Sequence, residues 1–255
     1  MAFKHPDYNV SLPFNSAYSS RLLDIYKAQE ESEIRQQCAG AKSRTFAPSG
    51  MRCMRKQWFR LRGTETDPVE NPDTGLNFRA DIGNARHIVI QSRLRAALGA
   101  DWIEVPDFLR EHPIPYKYEV LQSDIETLVK IDSPPIKFAV DGIIRIDGKM
   151  FLLEIKTCEY TALSVMQAHK PNHEEQVTFY CAILGLRDVL FLYEDRQNGG
   201  MKSFQHHVSE SDVESIKLKM SLIMDMANRN IAPERLPSND YMCSNCEYAK
   251  KCAEW

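Results

Sequence analysis

At 255 residues, with 43% hydrophobic and 26% charged side chains, the chain has apolar material for one large domain or two small ones, and its composition is that of a soluble globular protein. A net charge of −3 excludes a globally basic nucleic-acid binder, so any such contact must come from a local basic patch. No apolar run has the length of a membrane span, the N-terminus lacks a signal-peptide pattern, and an odd count of seven cysteines argues against a disulfide framework; a cytoplasmic protein is expected.

Residues 1–15 carry Pro6 and Pro13 and read as an irregular lead-in. A helix follows, capped by Ser16 or Ser19, with Leu22, Ile25 and Tyr26 on one side and Glu30, Glu31 and Glu33 in a solvated stretch, and it ends near Gly40. It is expected to be an accessory arm (residues 1–47), suited to a protein partner or to homo-oligomerisation, ahead of a domain over 48–255. A second helix is expected over 51–61 with Ser49 as its cap. It carries Cys53 and places Arg52, Arg55, Lys56, Arg60 and Arg62 around Trp58 and Phe59, a basic and aromatic pattern that can meet phosphates. The same pattern also fits an amphipathic helix with a basic outer face.

After a polar loop over 63–78, a third helix is expected over 79–98, ending at Gly99. Gly83, His87, Ile90, Leu94 and Leu98 share one face, which turns His87 inward among apolar residues, where a histidine is often a plain core residue. Gly83 would let another backbone or a ligand come close. Strands are expected over 102–105, 116–121, 125–131, 137–146 and 150–157 as one curved antiparallel meander, punctuated by Pro113, Pro115, Pro134 and Pro135. A helix over 172–186 sets Gln176 and Tyr180 one turn apart. The apolar strand 189–193 after it suggests a parallel crossover onto the sheet, and 202–208 an edge strand. A last helix from Ser211 to about Asn228 has Val213, Ile216, Met220, Ile223 and Met224 as its core face, and the tail over 230–255 shows little secondary structure.

The chemistry concentrates at one turn. Asp147-Gly148 between two apolar, β-branched runs is a hairpin signal. Side chains alternate along a strand, so Glu154 and Lys156 point one way and Ile155 the other, and the hairpin register brings Glu154 across from Asp141 or Gly142. Two carboxylates and an ammonium at one sheet end make a divalent-metal site beside a positive charge, which is what phosphodiester hydrolysis requires. A surface hairpin with scattered charges is the plainer alternative.

The tail holds Cys243-x2-Cys246-x5-Cys252, three thiols that leave a tetrahedral site one ligand short. Cys53, in a basic surround that would favour the thiolate, is the natural fourth, and a metal joining it to Cys243 across about 190 residues would staple the ends of the domain together. Four cysteines at these spacings fit zinc or an iron–sulfur cluster.

Taken in order, Cys53, His87, Asp141, Glu154 with Lys156, Gln176 with Tyr180, and Cys243, Cys246 and Cys252 resemble the iron–sulfur members of the RecB-like branch of the PD-(D/E)XK nucleases. That group includes the CRISPR-adaptation exonucleases and the AddB nuclease domain. The resemblance spans roughly four fifths of the chain, from Pro48 to Cys252. It implies an α/β (α+β) fold with a mixed sheet flanked by helices and a four-cysteine staple, and a metal-dependent DNA nuclease, by family lean an exonuclease on single strands or DNA ends. His87, Asp141, Glu154 and the Ile155 carbonyl are implied as ligands of Mg²⁺ or Mn²⁺, with the imidazole favouring Mn²⁺. Lys156 is implied to assist the attacking water, Gln176 and Tyr180 to orient Lys156 or the DNA, and the four cysteines to hold a structural 4Fe–4S cluster. Val140 stands where the family often has proline, no Gly-x4-Gly-Lys-Ser/Thr motif is present, and residues 1–47 fall outside the resemblance. A catalytically inactive DNA-binding or assembly subunit and a zinc-stapled interaction protein are the competing readings.

Overall fold

A computed structural model describes residues 17–40, 43–122 and 127–254 of the chain. The elements run α1 (Ala17–Cys38), α2 (Met54–Leu61), α3 (Thr74–Leu98), β1 (Trp102–Ile103) and α4 (Val105–Glu111). Five strands follow: β2 (Tyr118–Gln122), β3 (Thr127–Ile131), β4 (Ile136–Phe138), β5 (Gly142–Ile146) and β6 (Lys149–Cys158). The second half holds α5 (Tyr160–Val165), α6 (Glu174–Leu184), β7 (Asp188–Asp195), β8 (Met201–His207), α7 (Glu210–Asn228), α8 (Tyr241–Ser244) and α9 (Ala249–Glu254). The expected lead-in, Ser16, the Ser19 side chain and the start of the strand at Ile125 lie outside the described residues.

The strands form a mixed five-stranded sheet, β1-β5-β6-β7-β8, and a separate antiparallel sheet, β2-β3-β4. The hairpin is as read: Asp147 (φ 49°) and Gly148 (φ 79°) both occupy the left-handed region that a two-residue turn needs, and β5 and β6 pair from Ile146↔Lys149 to Gly142↔Leu153. β6 and β7 run parallel, joined through α5 and α6, and β8 closes the edge antiparallel to β7. This is the mixed sheet flanked by helices that the resemblance implies.

Side-chain alternation along β6 divides the core in two. Phe151, Leu153 and Ile155 face Ile90, Trp102 and Ile144 under α3, while Leu152 joins Val177, Phe179, Val189 and Phe191 on the side of α6. Glu154 and Lys156 fall on the Leu152 side by the same alternation.

Several boundaries differ from expectation. The single meander is two sheets: the expected strand 137–146 breaks after Phe138, and Ala139, Val140 and Asp141 carry the chain from one sheet to the other. The strand from Trp102 stops at Ile103, because Pro106 fits the first turn of a helix and α4 begins at Val105. α3 starts five residues earlier than expected, where the Asp73 carboxylate accepts the Leu76 N–H at 2.8 Å. Ser49 lies in a separate 3₁₀ turn opened by Pro48, and Cys53, extended at φ −102° and ψ 101°, caps α2. Leu22, Ile25 and Tyr26 of α1 are 67, 58 and 66% exposed, as an accessory arm allows. The tail contains two short helices, α8 and α9. Among the described residues no helix is long and apolar enough to cross a membrane.

α3 is tied to the sheet by a bidentate ion pair. Arg86 Nε and Nη2 donate to Glu194 Oε2 and Oε1 at 2.8 and 2.5 Å, and Glu194 on β7 is 1% exposed. Removing the cation leaves a buried carboxylate uncompensated. Arg86→Ala is therefore expected to cost about 2–4 kcal/mol, read as a fall in thermal midpoint of roughly 5–10 °C, while Arg95→Ala, whose partner Glu104 is exposed, costs under about 1 kcal/mol.

Candidate active site

The β5–β6 register, carried one step beyond Gly142↔Leu153, sets Asp141 opposite Glu154. β5 ends at Gly142 while β6 continues, so the next inward N–H of β6 lacks a strand partner. The Asp141 side chain supplies it: Oδ2 accepts the Ile155 N–H at 2.6 Å. The other oxygen, Oδ1, lies 3.1 Å from His87 Nδ1, and the Asp141 carbonyl accepts from Gln91 Nε2 at 2.8 Å. One aspartate thus joins β6 to two successive turns of α3. His87 faces the sheet, as its spacing suggested, and it meets a carboxylate there. The N–H and C=O of one strand residue in such a ladder point the same way, so the Ile155 carbonyl faces the Asp141 side. A Cβ built on Gly83 would touch Thr157 Oγ1 at 3.4 Å, so the small residue brings α3 close to the end of β6.

On the other face of β6, Lys156 Nζ lies 2.5 Å from Glu154 Oε1 and donates to Gln176 Oε1 at 3.1 Å. Gln176 Nε2 in turn donates to Tyr180 OH at 3.0 Å. The i, i+4 spacing on α6 puts amide and phenol on one face, and the ammonium, which can only donate, fixes which way the amide points. All the residues expected at the hydrolytic centre are therefore together. His87, Asp141, Glu154, Lys156, Gln176 and Tyr180 line a cleft of about 380 Å³, and His87 and Lys156 also border a neighbouring one of about 560 Å³. The ligand atoms of His87, Asp141 and Glu154 do not all lie within 4.8 Å of one another, because His87 is engaged with Asp141 and Lys156 with Glu154.

Burial pushes the Glu154 carboxyl up to about 7; Lys156 pulls it down and Asp141 adds to the rise. His87 is burdened by burial, which lowers it, but the hydrogen bond and charge of Asp141 outweigh that, and the net shift is upward. The carboxylates, imidazole and inward carbonyl are donors suited to a hard or borderline divalent ion, which would displace any proton they carry.

The four cysteines also converge. Cys53, Cys243, Cys246 and Cys252 line one cavity of about 250 Å³ with Phe59, Leu236, Met242 and Tyr248. The Tyr248 hydroxyl is buried and has no hydrogen-bond partner among the described residues. No three of the sulfurs all lie within 4.8 Å of one another. Burial, ahead of the Lys56 N–H that offsets it, raises the Cys53 thiol, which corrects the expectation that its basic surround favours the thiolate.

The side chains expected to meet DNA, Arg52, Arg55 and Lys56, are engaged by the tail in the same region. Arg55 is 7% exposed and donates to the Pro233 carbonyl at 2.6 Å and the Cys252 carbonyl at 3.3 Å. Arg52 pairs with Asp240 at 2.9 Å and Lys56 with Glu247 at 2.6 Å. These cations tie the start of α2 to the tail, which brings two acids and two backbone carbonyls to them. Arg60, which the sequence pattern included, borders one hydrolytic cleft with Lys137, and Arg79, Lys170 and Arg196 border the other; these last four lie far apart along the sequence and were missed there.

No protein-family model matches the chain, and no curated protein matches it in sequence. Solved structures similar to it include SSO0001, at 12% identity over 91% of this chain and 96% of that one, with a TM-score of 0.48. They also include the alkaline exonuclease LHK-Exo from Laribacter hongkongensis, at 13% identity, 80% and 93% coverage and a TM-score of 0.38. LHK-Exo in complex with dAMP aligns at 14% identity over 78% and 93%, with a TM-score of 0.42. At these values the likeness says nothing about chemistry, which rests on the side chains.

The raised Glu154 carboxyl has a consequence for stability. Its ordinary value is 4.5 and its folded value about 7, so the native state keeps a proton that the unfolded chain releases within that window. Its contribution to stability therefore falls as pH rises from 4.5 to about 7 and is level outside it. Without divalent ions, Glu154→Gln is expected to gain about 2–3 kcal/mol on the wild type between pH 4 and pH 8, measured by denaturant titration at each pH.

Proposed function

We propose that the chain is a divalent-metal-dependent deoxyribonuclease, an exonuclease acting on single-stranded DNA or DNA ends, in recombination, repair, CRISPR adaptation or phage DNA metabolism. The observation that carries this reading is the meeting of His87, Asp141, Glu154 and Lys156 at one strand end, in the arrangement that phosphodiester hydrolysis needs. His87, Asp141, Glu154 and the Ile155 carbonyl would hold one or two Mg²⁺ or Mn²⁺ ions. Such an ion, when bound, polarises the phosphodiester and makes a nearby water more acidic. The remaining work falls to the chain. Lys156 presents an ammonium to the charge that develops on the phosphoryl oxygens, and Gln176, hydrogen-bonded to Tyr180, holds that ammonium in place. Lys137, Arg79, Lys170 and Arg196 along the two clefts are placed to neutralise DNA phosphates on either side.

The four-cysteine cavity is read as the seat of a structural 4Fe–4S cluster. A single tetrahedral zinc at about 2.3 Å from each sulfur would draw the sulfurs to about 3.8 Å apart. A mostly apolar space of about 250 Å³ bordered by all four cysteines has room for the larger group, and zinc is the competitor. The exposed Leu22, Leu23, Ile25 and Tyr26 of α1 suit a protein partner or a second copy of the chain. The protein is read as cytoplasmic.

Wild-type protein is expected to degrade labelled DNA with Mn²⁺, while Asp141→Ala, Asp141→Asn and Lys156→Ala lose about 10²–10³-fold or more. Equal activity across these proteins rejects the assignment. Anaerobically purified protein is expected to be brown and to contain iron and sulfide in equal amounts, and Cys252→Ala to lose both; stoichiometric zinc without sulfide replaces the cluster reading with the zinc one.

A further inference from the structure

Outside the hydrolytic centre and the cysteine cavity, one more set of ligand-type side chains converges. His169 precedes the 3₁₀ turn Pro171–His173, Glu174 opens α6, and His206 lies on the edge strand β8. One donor atom from each falls within 4.8 Å of the other two. His169 Nε2 and Glu174 Oε1 are 2.9 Å apart. The His169 ring lies flat on the buried Phe191, centroids 4.7 Å apart at 9°, and His206 meets His169 edge-on at 4.7 Å. A hydrogen bond accounts for the first pair. It leaves His206 unexplained, a partly buried imidazole whose ring nitrogens have no hydrogen-bond partner among the described residues.

We propose that His169, Glu174 and His206 bind Zn²⁺ and so clamp β8 to the first turn of α6. Two imidazoles and one carboxylate are a recurrent zinc donor set, and a water in the fourth position completes a tetrahedron. Bond lengths near 2.0–2.1 Å require donors about 3.3 Å apart. The present spacing closes to that by rotation of the half-exposed Glu174 side chain and a small swing of His206. The clamp would act two residues before Gln176, on the helix that holds the Lys156 ammonium. His173, in the same turn, has its Nδ1 2.8 Å from Tyr193 OH, so the loop is tied to β7 as well. None of the three ligands belongs to the hydrolytic set, and the inference stands whether or not the chain cuts DNA.

The test is equilibrium dialysis against Zn²⁺, with zinc-edge X-ray absorption, on anaerobically purified wild type, His206→Gln, His169→Gln and Asp141→Asn. Wild type and Asp141→Asn are both expected to bind one zinc at this site, beyond any taken up by the hydrolytic centre, with a nitrogen and oxygen shell at about 2.0–2.1 Å. His206→Gln and His169→Gln are expected to lose at least about 100-fold in affinity, since even outer partners of a ligand are worth about 10–100-fold. At 100-fold excess over its Kd, zinc should raise the wild-type thermal midpoint by about 5 °C and leave that of His206→Gln unchanged. The partly exposed His206 on an edge strand keeps the test decisive should His169→Gln, which loses a stacked ring, fail to fold. A sulfur-only zinc shell, no zinc uptake, unchanged binding in His206→Gln, or loss confined to Asp141→Asn would each overturn the proposal.

Discussion

The structure depends on how one strand outlasts its neighbour. β6 runs on past the end of β5, and its Ile155 N–H would be left in a partly buried position with no ladder partner, at a cost of about 1–3 kcal/mol. Asp141 meets that N–H with one carboxylate oxygen, offers the other to His87, and gives its carbonyl to Gln91. The residue proposed as a metal ligand is thus also the cap of the sheet at the point where α3 docks. Local structure and candidate chemistry share one side chain here, so the position of the acid follows from the fold's need for an acceptor.

Around that point each remaining group is held by a different element. His87 arrives from α3, whose adjacent Arg86 is locked to the buried Glu194 on β7, so the helix has little freedom to slide along the sheet. Glu154 and Lys156 come from β6 on the α6 side, and α6 meets them with Gln176 and Tyr180. The Glu154 carboxyl is buried with its charge only partly answered by Lys156, a strained arrangement that a cation would relieve. Such local cost is expected where a fold keeps a reactive site assembled.

The cysteine tail obeys a different logic. Nearly two hundred residues separate Cys53 from the other three, and the described contacts between them go well beyond sulfur. Arg55 reaches carbonyls at Pro233 and Cys252, Arg52 reaches Asp240, and Lys56 reaches Glu247. Of the basic residues that look in sequence like a phosphate-binding face, Arg55 is buried, and Arg52 and Lys56 pair with acids of the tail. Lys137, Arg79, Lys170 and Arg196 beside the clefts come from a strand, a helix and two loops, where no sequence pattern groups them.

Much of this was legible in the amino-acid sequence alone. The Asp147-Gly148 turn, the alternation over Glu154, Ile155 and Lys156, the one-turn spacing of Gln176 and Tyr180, and the cysteine spacings are short-range patterns governed by backbone periodicity, and the structure repeats them. Tertiary packing decided the rest. It split the expected meander into two sheets at Ala139–Asp141, buried Arg55, left Leu22 and Ile25 of α1 exposed, and brought His169, Glu174 and His206 together from a loop, a helix and an edge strand. The physical reason is range. Periodicity says which way a side chain points from its own helix or strand, while its partner is set by how distant elements fill a common core.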